Sequence, residues 1–404
     1  MRRIPIAALV SAEIVSILGS RMTYLALPWF VLVTTGSASK MTLVLAAEIA
    51  PMAVFGIPSG IVVERLGART TMLVCDAARV PLLAALPILH AAGLLSFPLL
   101  LGLVFLLGCF MAPYFAAQRV ILPELVGEDE TTIAQANSVI EGGTAFAGLA
   151  GPALAGILIP FLGAPNVLYV DAATYVLSFL LLAGFVPRTK RLVGSATRHG
   201  VLAGIRFLLR DRLLGPLGGS VIVLNFLGAG LAATLPYYAY HSFSGDSKIA
   251  GLFFTAMGAG ALIGSISAVV VVKRFPPLRL AALGIVGLAV PLWLLPLELP
   301  AWGVMAALFT ATLFTPLVNG PVIGVITART PPDLRPKLMT ALISVSTLSA
   351  PAGFLVAGQL LEPWGVARVF TAVAVGMTGA ALVFATIALR HRDVAAPEAP
   401  ALAV

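Results

Sequence analysis

The sequence predicts an all-α membrane protein with twelve transmembrane helices arranged as two six-helix bundles. Three observations support this: the composition, a regular succession of long apolar segments, and short echoes between the two halves. Hydrophobic residues make up 59% of the 404 residues and charged residues 10%, whereas soluble domains carry about 25% charged residues. A chain this poor in charge cannot cover a water-facing surface of its size, so we expect most of its surface to contact lipid.

Twelve apolar segments are each long enough to cross a bilayer as a helix, which takes about 20 residues. We place them at residues 8–34, 41–63, 70–91, 97–119, 132–160, 165–187, 213–241, 248–272, 279–297, 301–328, 338–361 and 366–390. An even number of crossings puts both termini on the same side of the membrane.

Basic residues are distributed unevenly between the two sets of connecting loops. One set, together with the chain ends, holds Arg2, Arg3, Arg65, Arg69, Arg119, Arg188, Lys190, Arg191, Lys273, Arg274, Arg279, Arg329, Arg335, Lys337, Arg390 and Arg392. The opposite loops hold only Lys40, Lys248 and Arg368. This asymmetry predicts a multi-pass protein of the cell membrane with both termini in the cytoplasm. The basic residues are not interleaved with aromatics in one stretch, so we expect no nucleic-acid partner.

The longest polar stretch divides the chain into two halves. We predict an N-terminal bundle at residues 1–187, a cytoplasmic linker at 188–212, a C-terminal bundle at 213–391 and a cytoplasmic tail at 392–404. Within the linker, residues 200–212 form either an amphipathic helix on the membrane surface or a simple connection.

The two halves echo each other in sequence. Leu27-Pro28-Trp29-Phe30 matches Leu235-Pro236-Tyr237-Tyr238, 208 residues later, and Pro123-Glu124-Leu125 matches Pro332-Asp333-Leu334, 209 residues later. Two echoes at nearly one spacing indicate a duplicated six-helix unit, as in transporters built from parallel repeats.

The loop after the second segment reads Gly60-Ile-Val-Val-Glu64-Arg65-Leu-Gly67-Ala-Arg69. It places an acid and two guanidiniums at the membrane edge around a tight glycine turn. The segment resembles the cytoplasmic Gly-x-x-x-Asp-Arg-x-Gly-Arg-Arg/Lys signature of the major facilitator superfamily, with Glu64 for aspartate and Ala68 for a basic residue. The resemblance implies a cytoplasmic gate latch, and ordinary positive-inside anchoring is the alternative.

Small residues recur at every fourth position of the fifth segment: Gly143, Ala147, Gly151 and Ala155. Such a stripe lets another helix approach closely, and Pro152 favours a kink. The set Gly148, Gly151, Pro152 and Gly156 resembles the Gly-Pro motif of drug–proton antiporters in the same superfamily. General helix packing is the alternative.

Further stretches resemble the branch of that superfamily that includes macrolide-efflux proteins and enterobactin exporters. They are Ala26-Leu27-Pro28-Trp29, Asp76-Ala-Ala-Arg79, Ala136-Asn137-Ser138 and Asp171-Ala-Ala-Thr174. The resemblance implies a transporter that exports a small amphipathic molecule (a drug, macrolide or siderophore-like compound) by alternating access and proton antiport, and we expect the protein to be a monomer. An importer, a lipid flippase and an uncoupled facilitator remain alternatives on the same fold.

A few charged residues lie within the predicted helices: Glu13, Arg21, Glu48, Asp76, Arg79, Glu141 and Asp171. A charge at the bilayer centre costs about 2.5–3.5 kcal/mol on insertion scales, so these residues need a partner or a function. We expect Asp76 and Arg79 to pair three residues apart on one helix and Asp171 to join a helix-packing hydrogen-bond centre. Glu13 is expected to reach the nearby membrane surface.

The remaining charges are candidates for coupling. Arg21 lies near the middle of its helix and is the candidate for a fixed cavity charge. Glu48 or Glu141, biased by Arg21, is the candidate that carries a proton, although each could instead only balance a buried guanidinium.

Other chemistry is not predicted. The two cysteines and four histidines are dispersed, so the sequence indicates no metal site and no cofactor. It has neither a nucleophile–base constellation nor a Gly-x-x-x-x-Gly-Lys-Ser/Thr loop, which argues against an enzyme and against ATP-driven transport. A sensor on the same fold is a further, less favoured alternative.

Overall fold

The computed structural model describes residues 3–126, 130–188, 214–272, 274–330 and 335–390. Nearly all of the predicted linker and the predicted tail lie outside these residues. The same holds for the proposed amphipathic helix at 200–212 and the second member of the Pro-Glu-Leu echo.

The N-terminal half contains seven helices within the described residues. They are α1 (Arg3–Thr35), α2 (Ala38–Leu66), α3 (Ala68–Ala91), α4 (Phe97–Cys109), α5 (Met111–Val126), α6 (Glu130–Leu162) and α7 (Ala164–Phe185).

The C-terminal half contains another seven within the described residues. They are α8 (Leu214–Ser242), α9 (Ser247–Val271), α10 (Pro277–Leu292), α11 (Ala301–Leu313), α12 (Thr315–Arg329), α13 (Arg335–Trp364) and α14 (Val366–Arg390). A short 3-10 turn at Leu295–Leu297 follows α10.

Eleven segments of the described chain are long and apolar enough to cross a membrane. The 30-residue α13 occupies the place of the predicted eleventh segment, which brings the total to twelve. The all-helical membrane fold predicted from the sequence is therefore confirmed.

The fourth and tenth segments differ from the prediction because each is broken in two. Phe110 separates α4 from α5 with φ −86° and ψ −10°, and Phe314 separates α11 from α12 with φ −87° and ψ −11°. A proline follows each break within the first turn of the next helix, at Pro113 and Pro316. Since proline has no N–H and fits a first turn, it explains the break at the same place in both halves.

The halves meet through two helix pairs. The pairs are equivalent, because in the repeat the second segment corresponds to the eighth and the fifth to the eleventh. The second segment, α2, packs against the eleventh, α13, and the fifth, α6, packs against the eighth, α9. Within the N-terminal half, α1 lies against α6 and α7, and α3 packs on α7. This arrangement makes α1 central and places it between the bundle and the other half.

Tight turns start α2 and α9 at the membrane face opposite the termini. The Ser37 hydroxyl accepts a hydrogen bond from the Lys40 N–H, and the Asp246 carboxylate accepts one from the Lys248 N–H. Both are N-cap contacts, which satisfy backbone donors that a helix leaves free at its start. Two of the helices that line the contact between halves therefore begin at defined points on this face, which is called the far face below.

Candidate functional site

The halves are joined at the far face by polar contacts between α2 and α13. Glu362 lies near the end of α13, and its Oε1 accepts hydrogen bonds from Ser37 Oγ at 3.1 Å and Ala38 N at 3.0 Å. The carboxylate thus sits at the N-terminus of a helix of the other half, where the helix dipole favours a negative charge. Ser39 Oγ also donates to the Gly358 carbonyl at 3.2 Å.

The second seam, between α6 and α9, depends on small residues and a free carbonyl. Pro160 has no N–H, so the helix leaves the carbonyl of Gly156 without its usual donor. Ser247 Oγ of the other half donates to that carbonyl at 3.1 Å. A Cβ atom on Gly251 would lie 2.6 Å from the Pro152 carbonyl oxygen, so the two backbones touch directly.

The three glycines of the predicted helix-packing motif each face different surroundings. A Cβ on Gly156 would meet the Ser247 carbonyl oxygen at 2.8 Å, and one on Gly151 would meet Arg21 Cβ at 2.5 Å, whereas one on Gly148 would meet nothing within 4 Å. Gly156 therefore serves the contact between halves and Gly151 the contact with α1. Sequence reasoning missed the partner stripe of α9, although it too repeats small residues every fourth position.

We expect Gly156→Ala to lower the melting temperature of the purified protein, because the added methyl group must displace the Ser247 backbone. Gly148→Ala is the matched control, since its methyl group enters open space and alanine is the better helix former by about 1 kcal/mol. Thermal unfolding in detergent measures both variants. Equal melting temperatures for the two would contradict the assignment of Gly156 to the seam.

A stripe of exposed and half-buried residues runs along α1 from the terminal face to the middle of the membrane. Ile4, Ala7 and Ser11 are exposed near the terminal face, Ile14 and Leu18 are half-buried, and Arg21 is exposed again, while residues 22–32 are all buried except the half-buried Tyr24. These positions repeat at helical spacing and share one face. Because α1 contacts α2, α6 and α7 and also touches α8 and α9, we infer that the stripe faces a space between the halves.

The corresponding helix of the other half is also exposed before its middle and buried after it. Val223 and Asn225, which lie on opposite sides of α8, are exposed, and most of residues 229–239 are buried. Ala229, where that burial begins, lies 208 residues after Arg21, which is the spacing of the sequence echo. The space between the halves is thus closed over the same turns of both helices, and Arg21 marks its inner end, which is called the apex below.

The apex brings two predicted residues close to each other. Glu48 of α2 is buried, its Oε2 atom has no hydrogen-bond partner, and the charges of Asp171 and Arg21 act on its carboxyl. Tyr24 packs its ring edge-on against Phe254 of the other half, with centroids 5.8 Å apart. The site therefore combines one basic and one acidic side chain with aromatic groups from both halves.

Glu141 lies away from the apex. It is exposed on α6, and ten residues separate it from Gly151, which stands level with Arg21. Ten helical residues span about 15 Å, so a direct ion pair between Glu141 and Arg21 is excluded in this conformation. Of the two predicted proton carriers, only Glu48 lies within reach of the cavity charge.

Asp76 and Arg79 lie in a buried network at the centre of the N-terminal half. Their direct separation is long, with Arg79 Nη1 4.0 Å from Asp76 Oδ1. Ser178 Oγ donates to Asp76 Oδ2 at 2.7 Å, and Arg79 Nη2 donates to the Phe110 carbonyl at 2.8 Å. The guanidinium thus satisfies the carbonyl at the break in the fourth segment.

Aromatic rings complete the surroundings of Arg79. Its guanidinium lies 4.9 Å from the centre of the Tyr114 ring and 5.1 Å from that of Tyr175, within the range of cation–π attraction. Sequence reasoning found the Asp-x-x-Arg spacing but missed both tyrosines, because their contribution comes from two other helices.

Asp171 joins α7 to α1 through hydroxyl groups. Thr23 Oγ1 donates to Asp171 Oδ2 at 2.5 Å, and Thr174 Oγ1 donates to Oδ1 at 3.1 Å. Gly19 allows this approach, since a Cβ atom there would collide with Asp171 and Thr174. The carboxyl is therefore a packing centre between two helices of the N-terminal half.

The expectation that Glu13 reaches the membrane surface is wrong. Its side chain is fully buried between α1 and the helices packed on it, and neither carboxyl oxygen meets hydrogen-bond geometry, although Gln118 lies beside it. Glu13 sits on the face of α1 that turns inward, so its closeness to the chain end does not bring it to the interface.

The predicted gate segment forms a sharp corner between α2 and α3. Gly67 has φ 82°, a conformation that favours glycine. Arg69 donates to the Leu182 carbonyl at 3.3 Å and the Ala183 carbonyl at 2.7 Å, which lie in the last turn of α7. Arg65 is exposed, Glu64 is half-buried, and a Cβ on Gly60 would meet nothing within 4 Å.

The sequence matches a protein-family model described as transmembrane secretion effector over residues 2–402. It is 26% identical over 393 residues to the multidrug efflux pump Tap of Mycolicibacterium fortuitum, covering 93% of this chain and 94% of that protein. Identity to Tap of Mycobacterium tuberculosis is 25% over 416 residues, covering 97% and 95%. The MFS-type transporter YvqJ of Bacillus subtilis is 25% identical over 378 residues, covering 90% and 87%.

Solved structures with a similar fold are also transporters. The nucleoside transporter NupG aligns with a TM-score of 0.76 at 13% identity, covering 95% of this chain and 98% of that one. A bacterial homologue of the lysosomal transporter Spinster, inward-facing and occupied, aligns with a TM-score of 0.77 at 13% identity, covering 95% and 96%. At these identities the likeness concerns the fold alone.

Proposed function

We propose that this chain, which belongs to the transmembrane secretion effector family of the major facilitator superfamily, exports a small amphipathic molecule by proton antiport. The observation that carries the proposal is the burial pattern of α1 and α8, from which we infer a space between the halves that is closed at the far face and ends at Arg21 and Glu48. Relatives that match nearly the whole chain are named multidrug efflux pumps, which favours export.

The orientation follows from the basic loops. If the terminal face is cytoplasmic, as the positive-inside rule predicts, the cavity opens to the cytoplasm and the closed seams lie outside. A cargo molecule would then enter from the cytoplasm or the inner leaflet of the cell membrane and stop at the apex. The chain would act as a monomer, since the cavity is formed by its own two halves.

Alternating access requires that the two seams at the far face separate while the terminal face closes. The polar contacts of Glu362 and the glycine contacts of Gly156 and Gly251 are the ones that must break. The gate segment at Gly60–Arg69 lies at the opposite end of α2, and in this proposal it would close the terminal face. Both ends of one helix pair, α2 and α13, would thus take part in the cycle.

Glu48 is the acid that we assign to proton coupling. A buried carboxylate without a full set of donors is costly to keep charged, which favours binding of a proton at this position. Arg21 from α1 and Asp171 from α7 are the charged groups that act on it, with the Tyr24 phenol also nearby. Opening of the far face would expose Glu48 to protons from outside. Return to the conformation that is open to the cytoplasm would release them inside.

The test is transport by the purified full-length protein in proteoliposomes, with a panel of labelled drugs and siderophore-like compounds. We expect uptake into vesicles that are acidic inside, with the protein oriented so that uptake corresponds to export, and a matching loss of the pH gradient. Equal transport rates with and without the pH gradient would indicate an uncoupled facilitator and not a proton antiporter. Movement of fluorescent phospholipid instead of the panel would favour a flippase, and accumulation in the reverse direction an importer.

A further inference from the structure

Arg21 is a positive charge at the apex that no ion pair holds in the described residues. Within the described residues it makes no hydrogen bond and no ion pair within 4.0 Å, yet it lies halfway along a membrane-crossing helix and is exposed. Gly19, two residues earlier, faces α7. Two residues rotate a helix by about 200°, so Arg21 points away from α7, and its Cβ lies against Gly151 of α6, the helix that also packs on the other half.

Neither neighbouring acid forms an ion pair with Arg21 within 4.0 Å in the part of the chain that the structure describes, although Glu48 is near enough for the two charges to interact. Asp171 is already held by Thr23 and Thr174 on the other side of α1. Glu48 is buried, and among the described residues it forms no ion pair with the guanidinium. Arg79, by contrast, has the Phe110 carbonyl, two aromatic rings and Asp76 around it. The structure therefore surrounds Arg79 with partners, although its Nε meets no acceptor, whereas within the described residues Arg21 has neither a hydrogen bond nor an ion pair.

The surroundings of Arg21 suit an amphipathic ligand. The half-buried Tyr24 and the buried Phe254 supply aromatic surface from both halves, and the buried turns of α1 and α8 close the space beyond it. In a poorly hydrated site a guanidinium attracts an anion more strongly than in water, and its planar fork matches a carboxylate or phosphate through two hydrogen bonds.

We propose that Arg21 binds an anionic group of the cargo, so that the transported class is amphipathic acids and zwitterions rather than purely cationic drugs. The inference rests on the proposed export function, which supplies the need for a cargo site at the apex. The acid group would pair with Arg21, and the apolar or aromatic part would lie against Tyr24 and Phe254.

Binding to the purified full-length protein in detergent tests the inference without requiring transport. The probes are dansylglycine, its uncharged amide and a dansyl quaternary ammonium compound, followed by energy transfer from tryptophan. We expect the wild-type protein to prefer the acid over the amide by about tenfold or more, as expected for a charged hydrogen-bonded pair. Arg21→Gln should remove this preference and leave amide binding unchanged, which also shows that the variant is folded.

Two further variants sharpen the result. Arg21→Lys should keep part of the preference, since it retains the charge but not the fork. Arg368→Gln removes an exposed charge at the far face and should leave the preference intact. A wild-type protein that binds the amide or the cation as well as the acid would overturn the inference, as would an Arg21→Gln variant that keeps the preference. The proposed export function would survive either result, because the vesicle experiment tests it separately, by the presence, direction and cargo of transport.

Discussion

Replacement of Glu48 by glutamine is expected to reduce efflux driven by a pH gradient to the rate seen without a gradient. The amide cannot carry a proton, but it has nearly the size of the acid and fits the same buried position. Exchange of cargo between two equal pools, which needs no net proton movement, should persist in this variant. Proteoliposome transport with the gradient imposed, reversed and absent measures the effect.

Glu141→Gln is the matched control for this prediction. Glu141 is the other acid considered as a proton carrier, and it lies about 15 Å along α6 from the level of Arg21. We expect this variant to retain its response to the gradient. Full coupling in the Glu48 variant, or loss of coupling in the Glu141 variant alone, would transfer the proton-carrying role away from the apex.

Arg79→Met is expected to give the largest loss of stability, about 3–5 kcal/mol, which is the usual cost of breaking a buried ion pair from one side. The substitution leaves Asp76 buried with only the Ser178 hydroxyl as donor. It also removes the donor to the Phe110 carbonyl at the break between α4 and α5. Unfolding followed by tryptophan fluorescence in denaturant or on heating measures the loss.

The double variant Asp76→Asn/Arg79→Met separates the charge from the packing. Because it leaves no uncompensated carboxylate, it should be more stable than Arg79→Met alone, although still less stable than the wild-type protein. Arg65→Gln is the control, because it removes an arginine that is exposed, at the end of α2 just before the corner. If the single and double variants unfold at the same temperature or denaturant concentration, the buried charge of Asp76 does not cause the loss of stability.

The sequence alone determined the elements and their order. Each span is apolar for long enough to cross a bilayer, and backbone groups in lipid have no partner other than their own helix. The repeat was visible in Pro28 and Pro236, and the corner at Gly67 in the gate segment. Even the breaks at Phe110 and Phe314 had a signal in the prolines that follow them, which we overlooked.

Only the tertiary structure decided which face of each helix meets which neighbour. In a helix that is apolar on nearly all sides, the 3.6-residue repeat carries little information about direction, because lipid and protein interior select similar side chains. The sequence therefore could not tell that Gly156 faces the other half while Gly148 faces open space, or that Glu13 turns inward. It found Arg21, Glu48 and Glu141 as charges in the membrane, but the packing of α1 against α2 and α6 placed only Glu48 beside the arginine.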